Sequence, residues 1–444
     1  MADKFYRAVI VLLFLSMMGV ILGMTSPGLA DTDLDVVGTG MHAPVIATEA
    51  LVYLVLLVRL CTRPQHYLRA ASRMVTLLPL LAICLLSALW ASNASLSLRH
   101  TIALIITCLV GVILGADFEV PEIVRLFSIA TTIHIALIAV FFVVSRHSLY
   151  SPSDPLSLKG LTTHKNVFGF TMALAVIAYV TVPFRRFSML RWPLTAIAFG
   201  LLLLSRSSGS LVSTLGALAV VPFLFAMRFR GIQRIPLLIA SGLTALVVGV
   251  GVISNEEMLP GLFSKDATLT GRTELWSLIR VAIDHHPWLG YGFDSFWQGL
   301  HGDSLNIILG VGWLVPTAHN GYYDLMLGIG YVGLLCFLPA FFQMLARALR
   351  YLNNEPSSAR YFPIAFIGFW LIYNLNESAL ITRSGIPFLL FVSMSASLAV
   401  HCSRNAVLGE EAALGYPDNL TNVGQAPGLI PLRGGSRHDG YVSS

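Results

Sequence analysis

Seven basic side chains, Arg99, His164, Lys165, Arg206, Arg272, His319 and Arg383, stand at or just before the start of an apolar or amphipathic run. A helix that begins at such a place presents free N–H groups and a partial positive charge, both favourable to anions. Arginine adds a planar fork of donors that matches phosphate. Several such helix starts on one face make a basin for a multiply charged anion, and a lipid pyrophosphate headgroup is its natural occupant. Any one of these residues alone is explained equally well by snorkelling to lipid phosphate. That explanation weakens for the set.

Composition decides what kind of element positions them. The 444 residues are 56% hydrophobic and 11% charged, against roughly 25% charged in soluble domains. Mean hydropathy is +0.75. These values exclude a water-soluble core and predict an all-α polytopic membrane protein. About 20 apolar residues cross a bilayer, and the runs near 8–24, 43–60, 74–90, 101–117, 124–145, 166–184, 192–205, 208–227, 235–253, 319–346, 361–376 and 384–402 meet that need as about 12 spans. The first run is read as an uncleaved span rather than a signal peptide. Domain limits follow: helices 1 to 9 over 1–253, an outer loop over 254–318, helices 10 to 12 over 319–402, and a disordered tail over 403–444, rich in Gly, Pro, Asn and Ser.

Lysine and arginine orient the spans. Arg59, Arg63, Arg69 and Arg73, then Arg185, Arg186 and Arg191, then Arg228, Arg230 and Arg234, then Arg347, Arg350 and Arg360 fall in loops on one side, assigned to the cytoplasm with both termini. Asp31, Asp33 and Asp35 fall outside. Asp117, Glu119 and Glu122 fall inside and fit poorly. The net charge of +5 is therefore a topology signal and implies no nucleic-acid partner. Five scattered cysteines give no disulfide framework and no metal site.

The outer loop is more than a linker. Leu275, Trp276, Leu278, Ile279, Ala282 and Ile283 make an apolar stripe at helical spacing, and Trp288, Trp297 and Trp313 follow. The pattern predicts an amphipathic segment in the membrane interface. Gly271 is placed as its N-cap with Glu274 at N3, so Arg272 falls on the first turn. His285 and His286 read as surface residues. His134, mid-span, is a functional candidate by position, balanced by a neutral histidine bonded to a neighbouring helix.

Pro316-Thr317-Ala318-His319-Asn320, followed by Gly330-Tyr331-Val332-Gly333, resembles the signature of the O-antigen ligase and O-antigen polymerase superfamily. Gly271-Arg272-Thr273-Glu274-Leu275-Trp276 with His286-Pro287-Trp288-Leu289-Gly290-Tyr291-Gly292 is similar to the loop segment of that superfamily. Thr163-His164-Lys165-Asn166 with Gly169, and Ser87-Ala88-Leu89-Trp90 with Ser97-Leu98-Arg99, resemble its exopolysaccharide-polymerase branch. The resemblance implies a GT-C-like fold of about a dozen helices with a periplasmic cap, in the inner membrane. It implies transfer of glycan repeat units from undecaprenyl pyrophosphate to an acceptor glycan, without metal or cofactor. Arg206 and Arg272 would hold the pyrophosphate, Arg206 by a looser match, and His319 would act at the acceptor hydroxyl. Arg99, His164, Lys165, Asn320 and Arg383 complete the expected substrate-binding set. Membrane lipid and a chain-length regulator are the other expected partners.

Three enzymes share these motifs: a polymerase, a ligase that delivers glycan to lipid A core, and a transferase to protein. The Thr-His-Lys-Asn segment favours the polymerase. The rival class is a transporter of lipid-linked glycan or of small anions. Transporters place polar groups near the midplane and carry inverted repeats; here the midplane offers little beyond His134.

Overall fold

The computed structural model describes residues 2–25, 43–152, 154–181, 188–226, 235–239, 241–244 and 268–413. The expectations for the acidic loop at 31–35, for the loop up to 267, for Arg185, Arg186 and Arg228 to Arg234, for most of the ninth span and for the tail beyond 413 lie outside those residues. Residues 1–402 form one unit and 403–444 another.

Helices dominate the first unit, and the described residues contain one isolated β-bridge, Tyr150–Leu158. In chain order they are α1 (Ala2–Met17), α2 (Val20–Thr25), α3 (Ala43–Thr62), α4 (Pro64–Ser72), α5 (Leu78–Leu86), α6 (Ala94–Asp117), α7 (Val120–Val144), α8 (Lys165–Thr181), α9 (Arg191–Leu204), α10 (Ser208–Ala226), α11 (Thr268–His285), α12 (Leu305–Val311), α13 (Gly321–Asn354), α14 (Tyr361–Tyr373) and α15 (Ile386–Ala413). Four of them, α3, α6, α7 and α13, are each long and apolar enough to cross a membrane, and α4 with residues 75–89 forms a pair bent by 65°. Helices α8, α9 and α10 and the apolar part of α15 are shorter. The first expected span is interrupted between α1 and α2, where Gly19 adopts φ +78.

Local chemistry sets the helix starts that matter. Asn93 caps α6 by accepting from Leu96 N at 3.0 Å. Asn320 caps α13 by accepting from Tyr322 N at 3.0 Å and Tyr323 N at 3.2 Å. Helix α8 is apolar all round and nearly fully buried, as a helix at the centre of a bundle must be. It packs against α7, α9, α10 and α14, and so fixes His164, Lys165 and Asn166 at its first turn.

Helix α13 is broken at Ile329 and Gly330, where Gly330 takes φ 64 and ψ −167. The break frees backbone groups that the loop segment 287–292 satisfies. Tyr291 N donates to Leu327 O (2.7 Å) and Gly292 N to Gly328 O (2.8 Å). In return Tyr331 N donates to Pro287 O (2.8 Å) and Val332 N to Trp288 O (3.1 Å). A Cβ on Gly330 would collide with the Trp288 carbonyl. Residues 87–90 grip the same segment: Trp90 Nε1 donates to Leu289 O at 3.0 Å, and Ser87 Oγ accepts from Phe293 N at 2.8 Å. Three of the sequence motifs thus hold a cap onto the bundle.

The cap has its own core of Leu275, Ile279, Ile283, Phe296, Ile307, Ile308, Val315, Ala318 and Leu327. This corrects the expectation for the amphipathic segment. Its apolar stripe faces protein, because α12, the 313–318 loop and α13 cover it. Helix α11 also starts at Thr268, so Gly271 lies within the helix rather than capping it. His285 and His286 are exposed, as expected.

At the opposite end of the bundle the ill-fitting acids find their reason. The Asp117 carboxylate is largely covered and accepts from Tyr6 OH at 2.8 Å and Tyr67 OH at 2.9 Å, with Arg59 at 3.3 Å. Glu122 pairs with Arg7. These carboxylates neutralise Arg59 and Arg7.

Candidate active site

Glu377 gathers the site. It lies just beyond α14, in a loop strapped to the start of α13. Gly321 N donates to Asn374 O at 2.9 Å and to Glu377 O at 3.0 Å, and Asn320 Nδ2 donates to Leu375 O at 3.2 Å. This places the Glu377 carboxylate beside three side chains. Arg272 Nη2 approaches Oε1 at 3.1 Å, Asn166 Nδ2 donates to Oε1 at 2.7 Å, and His319 Nδ1 faces Oε2 at 3.4 Å. Arg272 Nη1 also donates to Asn376 O at 2.9 Å. Burial alone would raise the Glu377 pKa; the hydrogen bond from His319 and the charges of Arg272, His319 and His164 outweigh it and hold it at about 2. An ionised carboxylate only accepts, so in the neutral imidazole of His319 the proton sits on Nδ1 and Nε2 is the acceptor.

These groups line a cavity of about 790 Å³, with Arg206, His164, Lys165 and Asp154 on its wall. Leu13, Met17, Val52 and Tyr53 add an apolar side, from α1 and α3. Four described non-glycine residues have positive φ, and three of them, Arg206 (53), His319 (49) and Ser384 (52), line this cavity. Each such conformation costs about 1–3 kcal/mol and persists only where the surroundings enforce it. The buried Nε–H of Arg272 and the Oγ1 of Thr382 have no hydrogen-bond partner among the described residues. Both belong to the cavity lining.

The basin is not simply positive. Lys165, Arg206 and Arg272 stand against the carboxylates of Glu49, Asp154 and Glu377. Lys165 Nζ is 3.1 Å from Asp154 Oδ2. An incoming anion therefore competes with carboxylates already in place.

Of the residues expected from sequence, His319, Arg272, Arg206, His164 and Lys165 come together on one cavity. Three do not. Arg99 is exposed on α6, and it is its neighbour His100 that reaches the cap, with Nδ1 2.9 Å from Asp294 O. Asn320 uses its side chain to cap α13 and to hold Leu375 O. Arg383 pairs with Asp294 at 2.9 Å. Glu377 was missed, as was the contact role of Asn166. Charge and helix starts mark the cations in the sequence; the signal for Glu377 is one acid between two apolar runs on the face where cations gather. His134 is fully buried against Phe168, and neither ring nitrogen has a partner among the described residues, so the expected bond to a neighbouring helix is not made.

A protein-family model described as O-antigen ligase matches residues 193–338, the stretch that carries Arg206, Arg272, His319 and the broken helix α13. The chain is also 27% identical over 378 residues to the exopolysaccharide production protein ExoQ of Rhizobium meliloti, covering 78% of this chain and 82% of that one. Both likenesses point to the O-antigen ligase and polymerase superfamily. The described residues carry several helices long and apolar enough to cross a membrane, and the likeness is to a protein of exopolysaccharide production. The matched region carries Arg206, Arg272, His319 and the cap. Glu377 lies beyond the matched residues, in the loop that brings them together.

Proposed function

We propose that this protein is a polysaccharide polymerase, which joins glycan repeat units carried on a polyisoprenyl pyrophosphate to an acceptor glycan at the cavity. The observation that carries this reading is that Arg272 and His319, from separate elements, meet on one half-buried carboxylate. On this reading Arg272, with its spare Nε–H, and Arg206 bind the pyrophosphate, and the apolar α1 and α3 wall accommodates the start of the lipid. The acceptor hydroxyl attacks the anomeric carbon, and its proton passes to His319 Nε2. The bond from carbon to phosphate oxygen breaks, and the electron pair leaves with the pyrophosphate. Such base assistance gives roughly 10²–10⁴-fold, and charge balance at the leaving group gives more. Glu377 keeps the imidazole in the tautomer that can accept.

The cavity then faces the periplasm, both termini lie in the cytoplasm, about 12 spans sit in the inner membrane with a GT-C-like arrangement, undecaprenyl is the carrier, and no metal takes part. A chain-length regulator is the expected protein partner. The family description favours a second reading, ligation of finished glycan to another acceptor. Glycan length in cells with the gene intact, deleted or carrying His319→Ala tests both. A polymerase predicts single repeat units in the deletion and the variant; a ligase predicts long chains that remain unattached. Wild-type polymer in the His319→Ala strain, with the protein present at normal level, discards the proposal.

A further inference from the structure

The cap carries four tryptophans, and three have evident work elsewhere. Trp276 Nε1 donates to Ala318 O at 2.9 Å, and Trp297 Nε1 donates to Asp324 Oδ1 at 2.7 Å. Trp288 is 65% exposed and sits against Tyr331, outside the cavity lining. Trp313 differs from all of these. It lines the cavity, is half-buried, and its indole N–H makes no hydrogen bond among the described residues. Its ring centroid lies 6.0 Å from that of His319, with the planes tilted by 35°.

The ring is held in place by its neighbours on both sides. Gly312, at φ 77, ends α12 with its N–H on Ile308 O at 2.9 Å. Val315 and Ala318 are fully buried in the cap core. Ala318 N donates to the Asp324 carboxylate at 3.0 and 3.2 Å. A rigid aromatic face with a spare N–H, beside a histidine that can accept a proton, suits one ligand chemistry. A pyranose ring offers a face of C–H groups to the indole and hydroxyls at its rim, and an aromatic anchor with one polar tip binds such an amphipathic surface.

We propose that Trp313 is the platform for the acceptor sugar, and that stacking on it delivers one rim hydroxyl to His319 Nε2. This rests on the reading of the cavity as a glycan-joining site and adds the acceptor side to it. Specificity for the acceptor then lies in the loop between α12 and α13, while the donor is held by Arg206 just before α10, Arg272 of α11 and the apolar wall from α1 and α3.

The test uses the full-length protein in lipid nanodiscs, lipid-linked polymer as donor, and lipid-linked single repeat units from the producing strain as the titrated acceptor. Undecaprenyl pyrophosphate binding is measured separately. Trp313→Ala is expected to raise the acceptor concentration for half-maximal joining about ten-fold, with undecaprenyl pyrophosphate binding within about two-fold of wild type. Trp313→Phe, which keeps a ring face, is expected to recover most of the loss; Trp313→Leu, which keeps apolar volume without a face, is not. Leucine performing as well as phenylalanine would reduce Trp313 to packing and overturn the proposal. So would weakened pyrophosphate binding, or unchanged acceptor dependence, in Trp313→Ala. Failure of the underlying reading looks different: wild-type protein would neither bind the pyrophosphate nor join glycans, or His319→Ala and Arg272→Ala would both join normally.

Discussion

At the scale of single residues, Glu377 has two opposed effects. It orients His319, and it occupies the arginine fork that a pyrophosphate would use. Removing its charge should therefore separate binding from turnover. Glu377→Gln is expected to bind undecaprenyl pyrophosphate several-fold more tightly and to lower the maximal joining rate about 10²-fold or more. Titration of binding and saturation kinetics on the same preparation measure both; weaker binding by the variant would remove the competition argument. Acid unfolding gives an independent check. The folded pKa is about 2 against an ordinary 4.5, a depressed value. The contribution is thus complete above pH 4.5 and lost as pH falls toward 2, on the order of 3 kcal/mol. The Gln variant should lack that slope in a denaturation series from pH 5 to pH 2. His319 and Arg272 were legible because helix starts and charge mark them in the sequence. Glu377 was not, because an isolated acid becomes informative only when the fold places it within 3.5 Å of both.

At the scale of elements, the sequence motifs prove to be joints as much as chemistry. The Gly-x-x-Gly segment is the break in α13, and its backbone groups are satisfied by the 287–292 segment of the cap. Gly330→Ala adds a Cβ against the Trp288 carbonyl at a residue with φ 64. The cost expected is about 1–3 kcal/mol for the conformation, with the steric clash in addition. The variant should unfold at lower temperature in detergent, and its cap should be cut by protease faster than wild type. An unchanged melting temperature and cleavage rate would mean that the cap is held elsewhere. This role was hidden in the sequence because hydrogen bonds between two irregular backbones leave no periodic pattern. The amphipathic stripe of α11 was legible as a stripe, yet what covers it was not: periodicity names an apolar face without saying whether lipid or protein meets it. The pairing of Trp90 and Ser87 with the cap was similarly invisible, since only the fold shows that residues 87–90 and 289–293 touch.

At the scale of the whole molecule, the ionisable groups of the bundle collect at two ends, and the ends are built differently. At one end the cations, carboxylates and His319 border a cavity of about 790 Å³. At the other, Asp117 is closed in by Tyr6, Tyr67 and Arg59, and Glu122 by Arg7. Between them His134 is buried against Phe168 with no polar partner among the described residues. A transporter needs a site that both faces can reach in turn, with polar groups near the midplane. An enzyme acting on one face needs only the cavity. The two readings diverge in a sealed vesicle. Proteoliposomes carrying a fluorescent polyisoprenyl-pyrophosphate glycan in both leaflets, treated with an impermeant quencher, report whether the protein moves the lipid across. The expectation is that the inner-leaflet fluorescence stays protected to the same extent with and without protein, while glycans on the cavity-facing side are joined. Protein-dependent loss of that protection, without any lengthening of glycan, would replace the polymerase by a carrier and would turn the cavity cations into the mouth of a path.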